Sequence, residues 1–147
     1  MDSSITPLRV QWLRVTLACD FSRVRAVAQA TRQLLAAEGC GEDETMDCEL
    51  ALVEACNNAI KYVAPGSVGQ SILVEVLCGP REIELRIYDH TPGFDWPDKA
   101  VLPDPESESG RGLYLIRSTM NYAKYFRGKD ENVLVLRKHR SRPATLS

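Results

Sequence analysis

The sequence predicts an α+β fold: a two-layer α/β sandwich with a mostly antiparallel mixed sheet and helices on one face. Segments with apolar residues at every second position occur in pairs separated by short turns, which is typical of hairpins. Other segments repeat apolar residues at helical spacing. The predicted order is strand, helix, helix, strand, strand, long loop, helix, strand, strand. We expect one domain over residues 1–147, with its core at about 8–138.

The chain is predicted to begin with a strand and a helix. Leu8–Cys19 alternates between two faces, and the strand turns three residues inward: Leu13, Val15 and Leu17. Asp20 or Ser22 then caps a helix that runs to about Glu38. Gly39 ends it. The mostly apolar face of this helix consists of Val24, Val27, Ala28, Thr31, Leu34 and Leu35.

The second predicted helix carries both a core face and a polar face. It opens with the acidic segment Gly41–Thr45, which suits the positive end of the helix dipole, and it stops before Pro65. Its core face consists of Leu52, Val53, Cys56, Ala59, Ile60 and Val63.

The polar face of this helix lies within the stretch Glu49–Tyr62. It consists of Glu54, Asn57, Asn58 and Lys61. Glu54 and Asn58 are four residues apart, which places their Cβ atoms roughly 5–6 Å from each other. A carboxylate beside a carboxamide can hold a water, a hydroxyl or Mg2+. Alone, the pair is equally explained as the solvated stripe of a surface helix.

A hairpin is predicted in the middle of the chain. Ser71–Cys78 and Glu82–Asp89 are strands joined by a short turn at residues 79–81. The second strand buries Ile83, Leu85 and Ile87. Its other face, with Glu82, Glu84 and Arg86, is expected to be wet, as in an antiparallel sheet covered on one side.

The C-terminal part is predicted to contain a functional loop, a helix and a last hairpin. His90–Ser109 is longer than an ordinary connection, and such loops in compact domains are usually functional or disordered. Residues 110–112 end the loop and open a helix at Leu113–Asn121. Ala123–Arg127 and Asn132–Lys138 form the hairpin.

Composition excludes several classes of function. The formal net charge of −2 gives no basic field for direct nucleic-acid binding, and the basic segment Arg137–Arg142 is read as a solvated tail. The cysteines are odd in number, form no CxxC pair and lie near neither histidine, which argues against a zinc site. No signal peptide and no run of about 18 apolar residues occurs. We therefore expect a cytoplasmic protein with reduced thiols and no membrane contact.

Three stretches carry residues suited to nucleotide chemistry. They are EACNNA at Glu54–Ala59, DHTPGFD at Asp89–Asp95, and SGRGL at Ser109–Leu113. Backbone amides and glycines at a helix start can bind phosphate. A carboxylate at a strand end can accept a hydrogen bond from an exocyclic amine such as that of adenine. Taken one at a time, each also fits an ordinary cap or turn.

In this order, the three motifs resemble those of the histidine kinase-like (GHKL) ATPases, which have the Bergerat ATP-binding fold. More closely, the chain is similar to anti-sigma factor serine/threonine kinases of the RsbW and SpoIIAB type, from about Leu8 to Lys138. EACNNA looks like the N box of that family, DHTPGFD like its first glycine box, and SGRGLYLI like its second.

The resemblance implies ATP and Mg2+ as cofactors and a role for each matching residue. Asn58 would coordinate the Mg2+ that bridges the ATP phosphates, and Glu54 would be the general base for the substrate serine. Asp89 would bind the adenine amine, and Gly93 would shape the adenine pocket. Lys61 is a weaker candidate for a phosphate contact.

The resemblance also implies a lid and partners. Gly110, Arg111 and Gly112 would bound the lid and face the phosphates, and Arg23 would contact a partner. The substrate would be a STAS-domain anti-anti-sigma protein, and the sequestered partner a sigma factor or another output protein. A homodimer is a further expectation. The alternative is a non-catalytic module that binds ATP and acts only by partner switching.

The chain departs from the family pattern at four positions. Thr91 replaces the first glycine of the D-x-G-x-G box, and a β-branched residue disfavours positive φ, so an altered turn and weaker ATP binding are expected. Glu108 stands where some members have an arginine that reaches the γ-phosphate. Glu131 and Asn132 replace a Gly-Thr turn, which puts a water-bridged adenine contact in doubt.

Overall fold

A computed structural model describes residues 11–61, 70–91 and 111–141 of the chain, and it has the predicted order of elements. The elements are β1 (Gln11–Ala18), α1 (Phe21–Ala37), α2 (Glu42–Lys61), β2 (Ser71–Cys78), β3 (Glu82–Asp89), α3 (Arg111–Thr119), β4 (Tyr122–Arg127) and β5 (Asn132–His139). The predicted α+β class is confirmed. The sheet has the order β1-β2-β3-β5-β4, and all its described pairings are antiparallel, so the mixed character that we expected is not found among these strands.

The core lies between one face of the sheet and the three helices. Strands β2 and β3 bury every second residue, as their alternation predicted. Helix α2 packs between α1 and α3 and lies against β2, β3 and β5. Helix α2 is therefore contacted by a helix on each side and by the sheet. Val63, predicted to face the core, lies outside the described residues.

The ends of the first helix follow the predicted capping. Asp20 is the N-cap, and its Oδ1 accepts a hydrogen bond from the backbone N–H of Ser22 at 3.0 Å. Glu38 is the C-cap, and Gly39 follows with φ of +78°, a left-handed conformation that favours glycine. Of the β1 residues predicted to face inward, Leu17 is buried and Leu13 and Val15 are partly buried against the core.

The third helix differs from its predicted bounds at both ends. It begins at Arg111, within the residues that were read as the end of the loop, and it ends at Thr119. It stops before Asn121 because the backbone N–H of that residue donates to the carbonyl of Arg137, a bond that starts the β4–β5 pairing. No helix among the described segments is long and apolar enough to span a membrane.

The outer face of the sheet carries a ladder of ion pairs. The Glu84 carboxylate accepts hydrogen bonds from Arg86 Nε at 2.5 Å and Arg137 Nε at 2.6 Å. Burial raises the pKa of Glu84, but the hydrogen bonds from Arg137 and Arg86 outweigh it and hold the pKa below its ordinary value. Arg86 also lies 3.9 Å from Glu75 of β2. The wet face predicted for β3 is thus partly exposed, and its charges are paired across β2, β3 and β5.

Candidate functional site

Asp89, the last residue of β3 and a predicted nucleotide contact, is a buried carboxylate. It is only 4% exposed. Its Oδ1 accepts three hydrogen bonds: from Thr91 N at 3.0 Å, Thr91 Oγ1 at 2.7 Å and Asn132 Nδ2 at 3.0 Å. No described residue donates to Oδ2. One oxygen therefore fixes the carboxylate, and the other keeps its capacity to accept a hydrogen bond.

The turn after β3 does not place Thr91 at a positive φ, which a β-branched residue disfavours. No described residue other than glycine has a positive φ, so this turn does not require glycine at position 91. Both the amide and the hydroxyl of Thr91 donate to the carboxylate of Asp89, which forms a turn held by its own side chains. The altered turn and the weaker ATP binding expected from Thr91 remain predictions.

The sequence did not reveal the hydrogen bond between Asn132 and Asp89. In the sequence, Asn132 stands out only as part of the departure from a Gly-Thr turn. It is the first residue of β5 and lies opposite Asp89 in the β3–β5 register. Its Nδ2 also donates to the carbonyl of Thr91 at 2.9 Å, and the side chain is 3% exposed. The available signal was its periodicity, because Asn132 shares the inward face of its strand with Leu134 and Leu136. A polar residue on that face needs a buried partner.

A second group of predicted site residues meets where α3 closely approaches α2. Gly112, in the first turn of α3, is buried. A Cβ built on it would lie 2.7 Å from Glu54 Oε2, 3.5 Å from Asn58 Nδ2 and 3.7 Å from Asn58 Oδ1. Only glycine allows this contact without displacement of the carboxylate. The structure thus brings Glu54, Asn58 and Gly112 together, with the carboxylate at the positive end of a helix dipole.

The other predicted site residues that the structure describes lie on α1, α2 and α3. Lys61 is the exposed last residue of α2, and Arg111 is the first residue of α3. Arg23 is exposed in the first turn of α1. Gly93 and Gly110 lie outside the described residues, as does Glu108.

A groove of about 530 Å3 lies elsewhere, between α1 and α2. Phe21, Arg25, Arg32, Glu49 and Asn57 are among its lining residues. It contains none of Glu54, Asn58 and Asp89. This groove is therefore separate from the residues predicted to bind the nucleotide.

The fold agrees with one class of proteins, the histidine kinase-like ATPases. Residues 17–138 match the family model of the histidine kinase-like ATPase domain, and the chain belongs to that family. The match spans most of the chain and includes all the described helices.

Individual relatives agree with this assignment. The serine-protein kinase RsbW of Bacillus pumilus (strain SAFR-032) is 29% identical over 90 residues, which are 54% of this chain and 56% of the relative. The match thus spans little more than half the length of that relative. It fits the RsbW-type resemblance predicted from the motifs.

Two solved structures share the fold. The RsbU and RsbW domains of Rv1364c from Mycobacterium tuberculosis match with a TM-score of 0.62 and 20% identity, over 91% of this chain and 33% of that chain. The SiaB–SiaC complex from Pseudomonas aeruginosa matches with a TM-score of 0.57 and 17% identity, over 86% and 89% of the two chains. At these identities, the likeness concerns the fold.

Proposed function

We propose that this chain is an ATP- and Mg2+-dependent protein-serine/threonine kinase that acts as an anti-sigma-type regulator. The observation that carries the proposal is the contact of Gly112, at the start of α3, with both Glu54 and Asn58 of α2. It brings together three groups. The N-terminus of α3 can bind phosphate, the Glu54 carboxylate can accept a proton, and the Asn58 side-chain oxygen can bind a metal ion. Family membership and the name of the RsbW relative support the same function.

Asp89 would select the nucleotide. Its Oδ1 is used by Thr91 and Asn132, so the carboxylate cannot rotate without breaking bonds at both residues. Its Oδ2, to which no described residue donates a hydrogen bond, fits a donor such as the exocyclic amine of adenine. Recognition by a preorganised buried acceptor favours a base that carries an amine at that position.

Glu54 and Asn58 would act at the phosphates. Bound Mg2+ would neutralise phosphate charge, and the Asn58 side-chain oxygen is the ligand type that this ion takes. The Glu54 carboxylate would take the proton of the substrate hydroxyl. The hydroxyl oxygen would bond to the γ-phosphorus, and the bond from the γ-phosphorus to the bridging oxygen of the β-phosphate would break. Lys61, Arg111 and the glycines at 93 and 110 are proposed to complete the nucleotide site.

The partner-switching role is also a proposal. The substrate would be a serine or threonine of a STAS-domain antagonist, and the unphosphorylated antagonist would displace a sigma factor or another output protein. Exposed Arg23 in α1 is proposed as a partner contact. We propose that the domain covers the whole chain, dimerises and acts in the cytoplasm, with no direct role for nucleic acid or a membrane.

A phosphotransfer assay with a matched control tests the kinase activity. The chain is incubated with ATP, Mg2+ and a candidate STAS protein, and phosphoserine or phosphothreonine is located by mass spectrometry. Glu54→Gln should abolish transfer and retain ATP binding. Glu49→Gln, on the same helix and paired with Arg32 at 3.4 Å, should retain both.

Two outcomes would contradict the kinase proposal. If the wild type binds ATP and the STAS protein but transfers no phosphate, the chain is the non-catalytic partner-switch module. If Glu54→Gln transfers phosphate as fast as the wild type, the general base lies elsewhere.

A further inference from the structure

Two cysteine sulfurs meet away from the nucleotide site. Cys40 follows Gly39 in the connection between α1 and α2, and Cys78 is the last residue of β2. Their Sγ atoms lie 3.5 Å apart although both cysteines are free thiols. Cys40 is partly exposed and Cys78 is 2% exposed. One cysteine of the pair is thus partly exposed, and the sulfur of the buried one lies within 3.5 Å of its sulfur.

Arg140 fastens the two segments that carry these thiols. Its Nη1 donates to Cys78 Sγ at 3.6 Å and to the carbonyl of Gly79 at 2.8 Å. Its Nη2 donates to the carbonyl of Glu38 at 2.7 Å. The arginine is 9% exposed, so its charge acts in a poorly solvated environment. It both sets the spacing of the thiols and places a cation beside them.

The environment separates the roles of the two sulfurs. A hydrogen bond from the Cys78 thiol lowers the pKa of Cys40; the charge of Arg140 contributes, and burial opposes both. The same hydrogen bond, together with burial, raises the pKa of Cys78. Cys40 is therefore the better nucleophile, because the thiolate is the reactive form. Cys78 is placed to react second.

The other cysteines lack these features. Burial raises the pKa of Cys48 and of Cys56 to about 12. Cys19 is partly exposed like Cys40, but burial and the charge of Asp89 raise its pKa. No group of three His, Cys, Asp or Glu side chains suited to a metal ion occurs within residues 11–61, 70–91 and 111–141. The thiol pair is thus suited to redox chemistry.

We propose that Cys40 and Cys78 form a site of reversible thiol oxidation, at which a peroxide converts the two thiols into an intramolecular disulfide. The Cys40 thiolate attacks a peroxide oxygen, the O–O bond breaks, and Cys40 becomes a sulfenic acid. The Cys78 sulfur then attacks the Cys40 sulfur, and the S–O bond breaks. With hydrogen peroxide, the two thiols lose two hydrogens and the peroxide becomes two waters.

The disulfide would tie the entry of α2 to the end of β2. The two cysteines are 38 positions apart, so the covalent loop would enclose the whole of α2. A crosslink over such a span stabilises the fold, mainly by restricting the unfolded chain. Neither step involves Glu54, Asn58 or Asp89, so the proposal is independent of the kinase activity.

Peptide mapping of the intact wild-type protein tests the site. The reduced protein is treated with hydrogen peroxide, its remaining thiols are alkylated, and disulfides are located by mass spectrometry. We expect a Cys40–Cys78 link that dithiothreitol reverses, a higher melting temperature for the oxidised protein, and oxidation of Cys19 at least about tenfold more slowly.

Variants separate the pair from general thiol reactivity. Cys40→Ser should leave Cys78 reduced and remove the shift in melting temperature, whereas Cys19→Ser should behave as the wild type. The proposal is overturned if Cys40 and Cys78 stay reduced at peroxide concentrations that oxidise Cys19. It is equally overturned if Cys40 proceeds to sulfinic acid or links to another chain while Cys78 remains a thiol.

Discussion

The two ends of the proposed nucleotide site are built in different ways. At one end, Asp89 is held by hydrogen bonds from two residues of the sheet and its turn, each with a defined donor. At the other, Glu54 lies against Gly112 through the packing of one helix on another. Hydrogen bonds fix the orientation of a side chain, whereas packing fixes only how closely two groups approach. We infer that the Asp89 end is preorganised and that the Glu54 end depends on where α3 sits.

Gly112→Ala should have the largest effect, because it acts on the packed end. The new Cβ would lie 2.7 Å from Glu54 Oε2, so α3 or the carboxylate must move. The atom that must move is the end of a flexible side chain, so we expect phosphotransfer to fall by about 100-fold while the free energy of unfolding changes by less than about 1 kcal/mol. Gly41→Ala is the control, since its Cβ would meet Glu44 at an ordinary 3.5 Å. Rate assays measure phosphotransfer and urea unfolding checks that the fold is kept; equal effects of the two substitutions on the rate would refute the packing account.

Asn132→Ala should damage the other end. It removes hydrogen bonds to Asp89 Oδ1 and to the carbonyl of Thr91, and it leaves both acceptors buried. We expect a loss of about 1–3 kcal/mol in stability and weaker ATP binding. Asn121→Ala, which removes one exposed hydrogen bond from His139 N, should leave ATP affinity unchanged. Calorimetric titration with ATP decides between these outcomes.

Thr91→Val should have a smaller effect at the same end. It removes the hydroxyl that donates to Asp89 at 2.7 Å and keeps the shape of the side chain. We expect a loss of about 1 kcal/mol. Because Thr91 and Asn132 share one acceptor oxygen, the double variant should show a coupling energy of at least about 0.5 kcal/mol in urea unfolding. Additive effects would mean that Thr91 and Asn132 stabilise Asp89 independently of each other.

Glu84→Gln should have the smallest effect on the site and serves to separate stability from function. The folded pKa of Glu84 is lowered, so its contribution to stability is present above its unfolded value and is lost as pH falls through the folded pKa. The variant should therefore lose up to about 1 kcal/mol near neutral pH and show a flatter decline in acid. Thermal melts from neutral to acidic pH measure this, and ATP affinity at pH 7 should not change.

The comparison also shows what sequence can reveal. The bounds of β2 and β3 were predicted correctly, because strict alternation ends at turn residues on both sides. The start of α3 was missed, since Arg111 and Gly112 carry no apolar periodicity and look like loop. Helix formation there is favoured by packing on α2, which no local pattern records.

Side-chain contacts between distant segments were harder to predict. The Asp89–Asn132 hydrogen bond joins residues 43 positions apart and depends on strand register. The motifs predicted that Glu54, Asn58 and Gly112 share one site, but only coordinates show how close the glycine lies. The sequence indicated that Thr91 disfavours a positive φ, and the structure has none there. It did not indicate that the Asp89 side chain would stabilise the turn.

ATP titration calorimetry of the wild type, Asp89→Asn and Glu54→Gln tests the central claim most directly. Asp89→Asn is nearly isosteric but replaces a carboxylate oxygen by an amide, so binding should fall by at least about tenfold. Glu54→Gln should bind ATP as the wild type does. The account is contradicted if Asp89→Asn binds as tightly as the wild type, or if Glu54→Gln loses as much affinity as Asp89→Asn.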